Sequence, residues 1–396
     1  MTQKRLLLLG GSHAEIPLIK AAKALGYYTI TTGNATTGLG HPFADKFECC
    51  DFSDKDAILK LAEKENISSI CSGCNDFAMI STAYVAEVLG LPGHDSYKTT
   101  LRIHHKDKYR ALAKSLNIPT PKAIPCETQD DLEYAIASLT FPVIVKPVDL
   151  TGGKGIHIAE TAAEARLYFA EALARSRQKR ILIEEIIRGS NHGFSTMLRN
   201  GKICFYFGDD EQYYQNKHLV SGASTPASVN ASTFGKLIAY SERIAKELSL
   251  VDGIFHIQYI LAKDGTPYII EICRRPPGDL YIEFVHKATG VNYPRYIIQA
   301  ESGLGLNGLT FTEPQGAWIR HCVMTNRNGT LKAINISKSI EPHIDSSLWW
   351  YKTGEKIENY LFYKAGILFL KFDTPLQMHE ALKTIYTDIQ IQTEPV

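Results

Sequence analysis

Glu271-Ile-Cys-Arg-Arg275 closes a strand-turn-strand unit that starts at His256-Ile-Gln258-Tyr259 and turns through Asp264-Gly265 into Tyr268-Ile-Ile-Glu271. Such a unit can present Gln258 and Glu271 side by side toward one ligand. Glu271 follows apolar strand residues, and an acid there is costly unless a cation or hydrogen bonds satisfy it. A carboxylate and an amide oxygen are hard donors, admissible for Mg²⁺ or Mn²⁺. Arg274 and Arg275 stand directly behind, suited to holding a transferring phosphoryl group or a substrate carboxylate at two points. A buried Glu–Arg ion pair is the structural alternative.

Upstream lies Phe141-Pro-Val-Ile-Val-Lys146-Pro147, running into Thr151-Gly-Gly-Lys-Gly155. The apolar strand would bury the stem of Lys146 and aim its ammonium inward. Thr151, Gly152, Gly153 and Lys154 form a turn flexible enough to bring backbone N–H groups against phosphate oxygens. Glu184-Glu185-Ile186-Ile187 fits a hinge strand, where backbone groups can pair with an adenine edge. In this order the three stretches describe a nucleotide held between two sheets, with a metal at its phosphates.

With 44% hydrophobic and 21% charged residues, a chain of 396 residues is an ordinary globular sequence of two or three domains. Its 43 Lys+Arg balance 42 Asp+Glu, so no bulk attraction to nucleic acid or an anionic membrane is expected and any phosphate recognition is local. The apolar run near the amino terminus is interrupted at Gly10-Gly11-Ser12, too soon for a signal peptide, and no stretch reaches the length of a membrane helix. The expectation is a cytoplasmic protein. Its eight cysteines are scattered; Cys71-Ser-Gly-Cys74 lacks a second pair, so buried, inert thiols are expected rather than a zinc or redox centre.

Apolar periodicity predicts strands at 4–9, 27–32 and 67–72, alternating with helices at 14–25, 55–65 and 78–89, which is the pattern of a parallel sheet covered by helices. Gly10-Gly11-Ser12 lacks a full GxGxxG and is read as a tight turn. One helix is expected over 99–116, carrying His104, His105, Lys106, Lys108 and Arg110. Strands at 143–146, 156–158 and 181–185 with helices at 130–138 and 162–176 make a small α+β unit. After strands at 194–197 and 203–207, the polar run 208–218 reads as a long functional loop. Helices follow at 231–248, 282–289 and 293–301, then short strands around 318–324, 331–336, 355–357 and 365–371, and a helix at 376–386.

At the motifs quoted above the chain resembles the ATP-grasp superfamily, over essentially its full length. The run Lys146 to Gly155 looks most like the formate-dependent phosphoribosylglycinamide formyltransferases, and 248–290 looks more like the ATP-grasp amino-acid ligases. The resemblance implies an α/β fold of three parts. These are a Rossmann-like domain at 1–97, a two-lobed nucleotide-binding domain at 98–310 with a small lid lobe at about 120–188, and a small, mostly β carboxy-terminal α+β domain at 311–396. It implies that Lys106 and Lys146 bind ATP phosphates, with Lys108 as the neighbour of Lys106. It further gives Thr151 to Lys154 the covering loop, Glu184, Glu185 and Ile187 the adenine hinge, and His192 the place near the ribose acid. Glu271 and Gln258 would hold Mg²⁺ or Mn²⁺, and Arg275, with Arg274 beside it, the acyl phosphate.

The sequence departs from the family at Gln258, where Glu is usual, at Cys273, where Asn is frequent, and at His192. These changes lower ligand charge and remove a hard donor, leaving Glu271 as the bridging acid with Asp279 or water to complete the set. The activity implied is ATP-dependent ligation of a small-molecule carboxylate to an amine through an acyl phosphate. Its alternatives are a purine-pathway enzyme of formyltransferase or carboxylase type, and a nucleotide-binding protein with weak or no catalysis. A homodimer built through the first domain is expected from resemblance.

Overall fold

Leu6, Leu7, Leu8 and Leu9 have no accessible surface, because their strand, Arg5–Leu9, lies between parallel neighbours on both sides. The sheet order is Lys46–Cys49, Tyr28–Gly33, Arg5–Leu9, Ser69–Cys71. Helices cover such a sheet, so its central strand reads as a continuous apolar run. Asp54 caps the helix Lys55–Glu65 by accepting from the N–H groups of Asp56 and Ala57, and Asn66 ends it in the left-handed region at φ 48°. Asn75 caps the helix Asp76–Leu89 in the same way. At the Gly10-Gly11-Ser12 turn an internal acid takes donors that a phosphate would need: Glu15 accepts from the Ser12 N–H at 2.8 Å and the Cys74 N–H at 3.0 Å.

The computed structural model describes residues 3–150 and 155–395; Thr151, Gly152, Gly153 and Lys154 lie outside them. The chain divides into two compact units. The first comprises Met1–Tyr206, Val229–Gly278 and Asn292–Phe311, the second Phe207–Ser228, Asp279–Val291 and Thr312–Val396.

Besides the parallel sheet, the first unit holds a small antiparallel sheet of order Ala123–Cys126, Ile181–Glu185, Val143–Pro147, His157–Ala159. The helices Gln129–Ser138 and Ala162–Arg175, each opened by a capping box, pack on one face of it. Val143, Val145, Ile181 and Ile183 meet Leu132, Phe169 and Ala172 in that core. Strand alternation then sends Ile144, Lys146, Leu182 and Glu184 to the opposite face, where Ile144 stands across from Glu184 and Lys146 from Leu182.

A third, antiparallel set in the first unit runs Pro267–Cys273, Gly253–Ala262, Gly189–Arg199. Phe255, Ile257 and Tyr259 join Phe194, Leu198 and the helix Ala231–Leu248 in its apolar core. Gln258 therefore points to the other face. The expected helix over 99–116 is divided into Tyr97–His104 and Lys106–Ser115 because His105, at φ −86° and ψ 119°, leaves the helical region. The break makes Lys106 the first residue of a new helix.

In the second unit the end of the strand Lys202–Tyr213, Val220–Thr225, Ala317–Val323, Gly366–Phe372 and Ile344–Trp349 pair in that order. The expected loop at 208–218 is strand as far as Tyr213. Asp210 pairs with Ser224, Glu211 with Ala223 and Gln212 with Gly222, and its polar side chains find partners: Gln212 Nε2 donates to Ser224 Oγ at 2.9 Å and Tyr281 donates to Asp209. A three-stranded sheet of Lys356–Ile357, Gly329–Ile336 and Ile389–Glu394 completes the unit, with the helix Pro375–Asp388. Trp349 packs, partly buried, against this unit's core, and Trp350 lies just beyond the strand. No helix among the described residues is long and apolar enough to cross a membrane.

Candidate active site

Gln258 and Glu271 stand directly opposite each other across the hairpin. The ladder then shifts register, since Tyr259 pairs with Ile269 and leaves Ile270 looped out as a bulge. Gln258 and Glu271 are each half-buried and face away from the apolar core. Lys106, at the start of its helix, brings Nζ to 3.3 Å from Glu271 Oε1 and donates to the Leu150 carbonyl at 3.1 Å. It is Lys106, not Lys108, that meets the acid. Burial pushes the Lys106 ammonium down, but Glu271 and Asp76 outweigh it and hold the pKa above the ordinary lysine value.

Lys146 ion-pairs with Glu184 Oε1, and the two side chains are 5% and 2% exposed. The other oxygen, Oε2, accepts from Arg110 Nε at 3.1 Å and Nη2 at 3.0 Å, and Arg110 Nη1 donates to the Ile270 carbonyl at 2.7 Å. A continuous chain of contacts thus joins Lys146, Glu184 and Arg110 to the strand of Glu271. Burial drives the Lys146 ammonium down to about 8, with Arg110 and Lys106 acting the same way against Glu184. Burial opposes ionisation of Glu184, yet Arg110 and Lys146 keep its carboxyl below the usual range. Beyond it, Glu185 Oε1 accepts from the Thr140 N–H at 3.0 Å, and Ile187 lies half-buried past the strand end.

Behind the hairpin the two arginines separate. Arg275 donates from Nε to Asp76 Oδ1 at 2.7 Å and from Nη2 to Asp76 Oδ2 at 2.9 Å, and His104 Nδ1 lies 3.0 Å from the same carboxylate. Burial would raise the Asp76 carboxyl, but Arg275 and then His104 hold it well below the usual range. Arg274, expected to face the chemistry, is instead a brace. It donates to Asp95 Oδ2 at 2.7 Å and to the carbonyls of Val251, Gly253 and Ile254, and its side chain is 4% exposed. Its donors are directed into the fold.

His192 is likewise not brought to the hairpin acid. It pairs in register with Tyr259, stacks on that ring at 5.1 Å and sits 2.6 Å from Ser190 Oγ, on the core face opposite to Gln258. Cys273 is buried, and burial pushes its thiol up to about 12; its soft sulfur is a poor match for Mg²⁺, which prefers oxygen donors. Asp279 belongs to the second unit, where it pairs with Lys364. Among the described residues no group of three or more His, Cys, Asp and Glu is placed to hold a metal ion. The oxygen pair of Gln258 and Glu271 nonetheless fits Mg²⁺ or Mn²⁺, which bind through one or two carboxylates and take phosphate oxygens and water for the rest.

Sequence reasoning did not single out Arg110 or Asp76. Arg110 follows Lys106 by four residues, one helical turn, and so shares its face. Asp76 follows the Asn75 cap, a position where an acid also serves the helix dipole and gives no separate signal.

Residues 105–307 match the family described as the carbamoyl-phosphate synthase L chain, ATP binding domain. The carbamoyl phosphate synthase large chain of Methanothermobacter thermautotrophicus is 26% identical over 335 residues, covering 78% of this chain and 31% of that protein. That of Clostridium acetobutylicum is 24% identical over 301 residues, covering 74% and 27%. The chain spans about a third or less of the length of these curated relatives. Among solved structures, an L-amino acid ligase from Bacillus licheniformis superposes with a TM-score of 0.81 at 19% identity over all of both chains. A phosphoribosylglycinamide synthetase from Anaerococcus prevotii gives 0.76 at 24% identity over 99% of this chain and 100% of that one. At such identities the likeness is one of fold, and the fold is ATP-grasp.

Proposed function

Because the chain belongs to the family of carbamoyl-phosphate synthase L chain ATP binding domains, we propose that it is an ATP-dependent carbon–nitrogen ligase joining a small carboxylate to an amine. The observation that carries this reading is the convergence of Lys106, Glu271 and Gln258 at one end of a contact chain that begins at Lys146. Lys146 and Lys106 would place positive charge at the phosphates of ATP, and the hinge at Glu184, Glu185 and Ile187 would receive the base. Glu271 and Gln258 would hold Mg²⁺, whose chemistry when bound is to neutralise phosphate charge.

In the reaction a substrate carboxylate oxygen attacks the γ-phosphorus and ADP leaves; the amine then attacks the acyl carbon and inorganic phosphate leaves with both electrons of the broken bond. Positioning and charge stabilisation suffice for this chemistry, without a protein nucleophile. Arg275, kept in place by Asp76, would face the anionic acyl phosphate. The eight unpaired thiols suit a reducing, cytoplasmic compartment.

The test is ADP release over panels of amino acids, formate and bicarbonate with candidate amines, with Glu271→Ala as control; turnover surviving that substitution removes the metal role. A second reading, nucleotide binding without catalysis, is favoured by Gln258, which supplies no charge to a metal. Calorimetric ATP binding that persists without Mg²⁺, with no turnover in any panel, would select it.

A further inference from the structure

The helix Lys106–Ser115 carries a buried arginine, Arg110, to which the proposed reaction gives no task. Arg110 shares the Glu184 carboxylate with Lys146, each cation on its own oxygen, and all three side chains are at least nine-tenths buried. Its remaining donor, Nη1, meets the Ile270 carbonyl, which the bulge at Ile270 takes out of the ladder and leaves in need of a donor. Arg110 is thus fixed at both ends, on the hinge strand and on the strand of Glu271.

The Lys146 ammonium is directed at Glu184, so turning it toward a phosphate loosens that pair. Were it the sole partner, its departure would strand a buried carboxylate, and breaking a buried pair from one side is strongly unfavourable. We propose that Arg110 is a positioning residue for nucleotide binding, keeping Glu184 paired so that Lys146 is free to move to the phosphates of ATP. The inference rests on the nucleotide reading above and adds to it the group that makes the lysine transferable.

The charged groups facing Lys146 are Glu184 from the hinge strand and Arg110 and Lys106 from the helix. Removing Arg110 takes away a like charge and leaves Lys146 as the one cation on Glu184. Both changes move the lysine titration upward.

The experiment is calorimetric titration with Mg·ATP from neutral pH to above the lysine titration, on wild-type protein, R110M, R110K and K146M. Wild-type affinity is expected to fall as the pH rises through about 8. R110M is expected to bind about tenfold more weakly at neutral pH and to show its alkaline fall displaced upward by about one pH unit. R110K retains the charge and keeps the fall where wild type has it. An alkaline fall unmoved in R110M, or undiminished affinity, overturns the proposal, since a merely structural arginine would weaken binding without moving the titration. Should R110M not fold by thermal melt, Arg110→Gln is read by the same criterion, because it removes the charge and keeps a donor for the Ile270 carbonyl. Absence of binding in wild type strikes the nucleotide reading itself; binding lost in K146M but untouched in R110M strikes this inference alone.

Discussion

Asp76, on the helix that follows the parallel sheet's last strand, and Arg275, behind the hairpin acid, meet through a two-point ion pair of 2.7 and 2.9 Å. The guanidinium expected to serve the reaction is therefore oriented by the amino-terminal sheet's own helix, 199 residues away in sequence.

Asp76→Asn leaves the shape and removes the charge, so Arg275 loses its fixed orientation. Since small misplacements of a reacting group cost on the order of 10²-fold in rate, kcat/KM for the carboxylate substrate is expected to fall by about that factor. Steady-state ADP release at varied carboxylate measures it; a value within twofold of wild type would reject the orienting role.

Arg274 and Asp95 form a buried pair whose side chains are 4% and 2% exposed. Removing one partner strands the other, at a cost of about 3–5 kcal/mol. Arg274→Met should lower the urea midpoint of unfolding accordingly. A small loss of stability with a large loss of turnover would instead return Arg274 to the chemistry.

Gln258→Glu places a second carboxylate opposite Glu271 at the register already observed. Greater ligand charge raises divalent-ion affinity, so the Mg²⁺ concentration for half-maximal ADP release should fall. The reverse change, Glu271→Gln, should raise it by about tenfold or more, given that even outer-shell ligand partners are worth that much.

In the second unit, burial raises the Asp209 carboxyl to about 8, with Glu211 adding to the shift. The unfolded chain releases this proton in the ordinary carboxylate range, while the folded chain holds it. Between that range and about 8 the folded state binds more protons, so stability falls with rising pH, by on the order of 1 kcal/mol per unit. Asp209→Asn should flatten this slope. Thermal melts across that window measure it, with no difference expected below the ordinary carboxylate range.

The hairpin and Lys146 were legible because their signals are local: an Asp-Gly turn between apolar strands, and a lysine closing an apolar run. The break at His105 was not, since neither glycine nor proline marks it and the reason lies in what Lys106 meets. The strand at Gly208–Tyr213 reads as loop because acids and amides are poor strand formers, and Ser224 and Tyr281, which satisfy them, are remote in sequence. Five strands escaped the reading: Lys46–Cys49, Ala123–Cys126, Ile344–Trp349 and Ile389–Glu394, each at an end of its sheet's strand order, where short and polar sequences are usual, and Val220–Thr225, which lies inside its sheet. The face taken by His192 was not legible, because proximity along the chain says nothing of which face a strand residue takes; its pairing with Tyr259 decides that. The partners of Asp76 and Arg110 lie 199 and 74 residues away, separations that no spacing rule reaches.

The unpaired Ile270 also sets what the hairpin can tolerate. Strict alternation from Ile269, whose side chain is fully buried, would carry a residue two positions later back into the interior. With one residue looped out, Glu271 emerges on the other surface beside Gln258. The acid thereby takes the face opposite to the one that the turn-side half's alternation would give it. A pair of residues added or removed at the Asp264-Gly265 tip changes the hairpin's length and leaves the acid pointing outward.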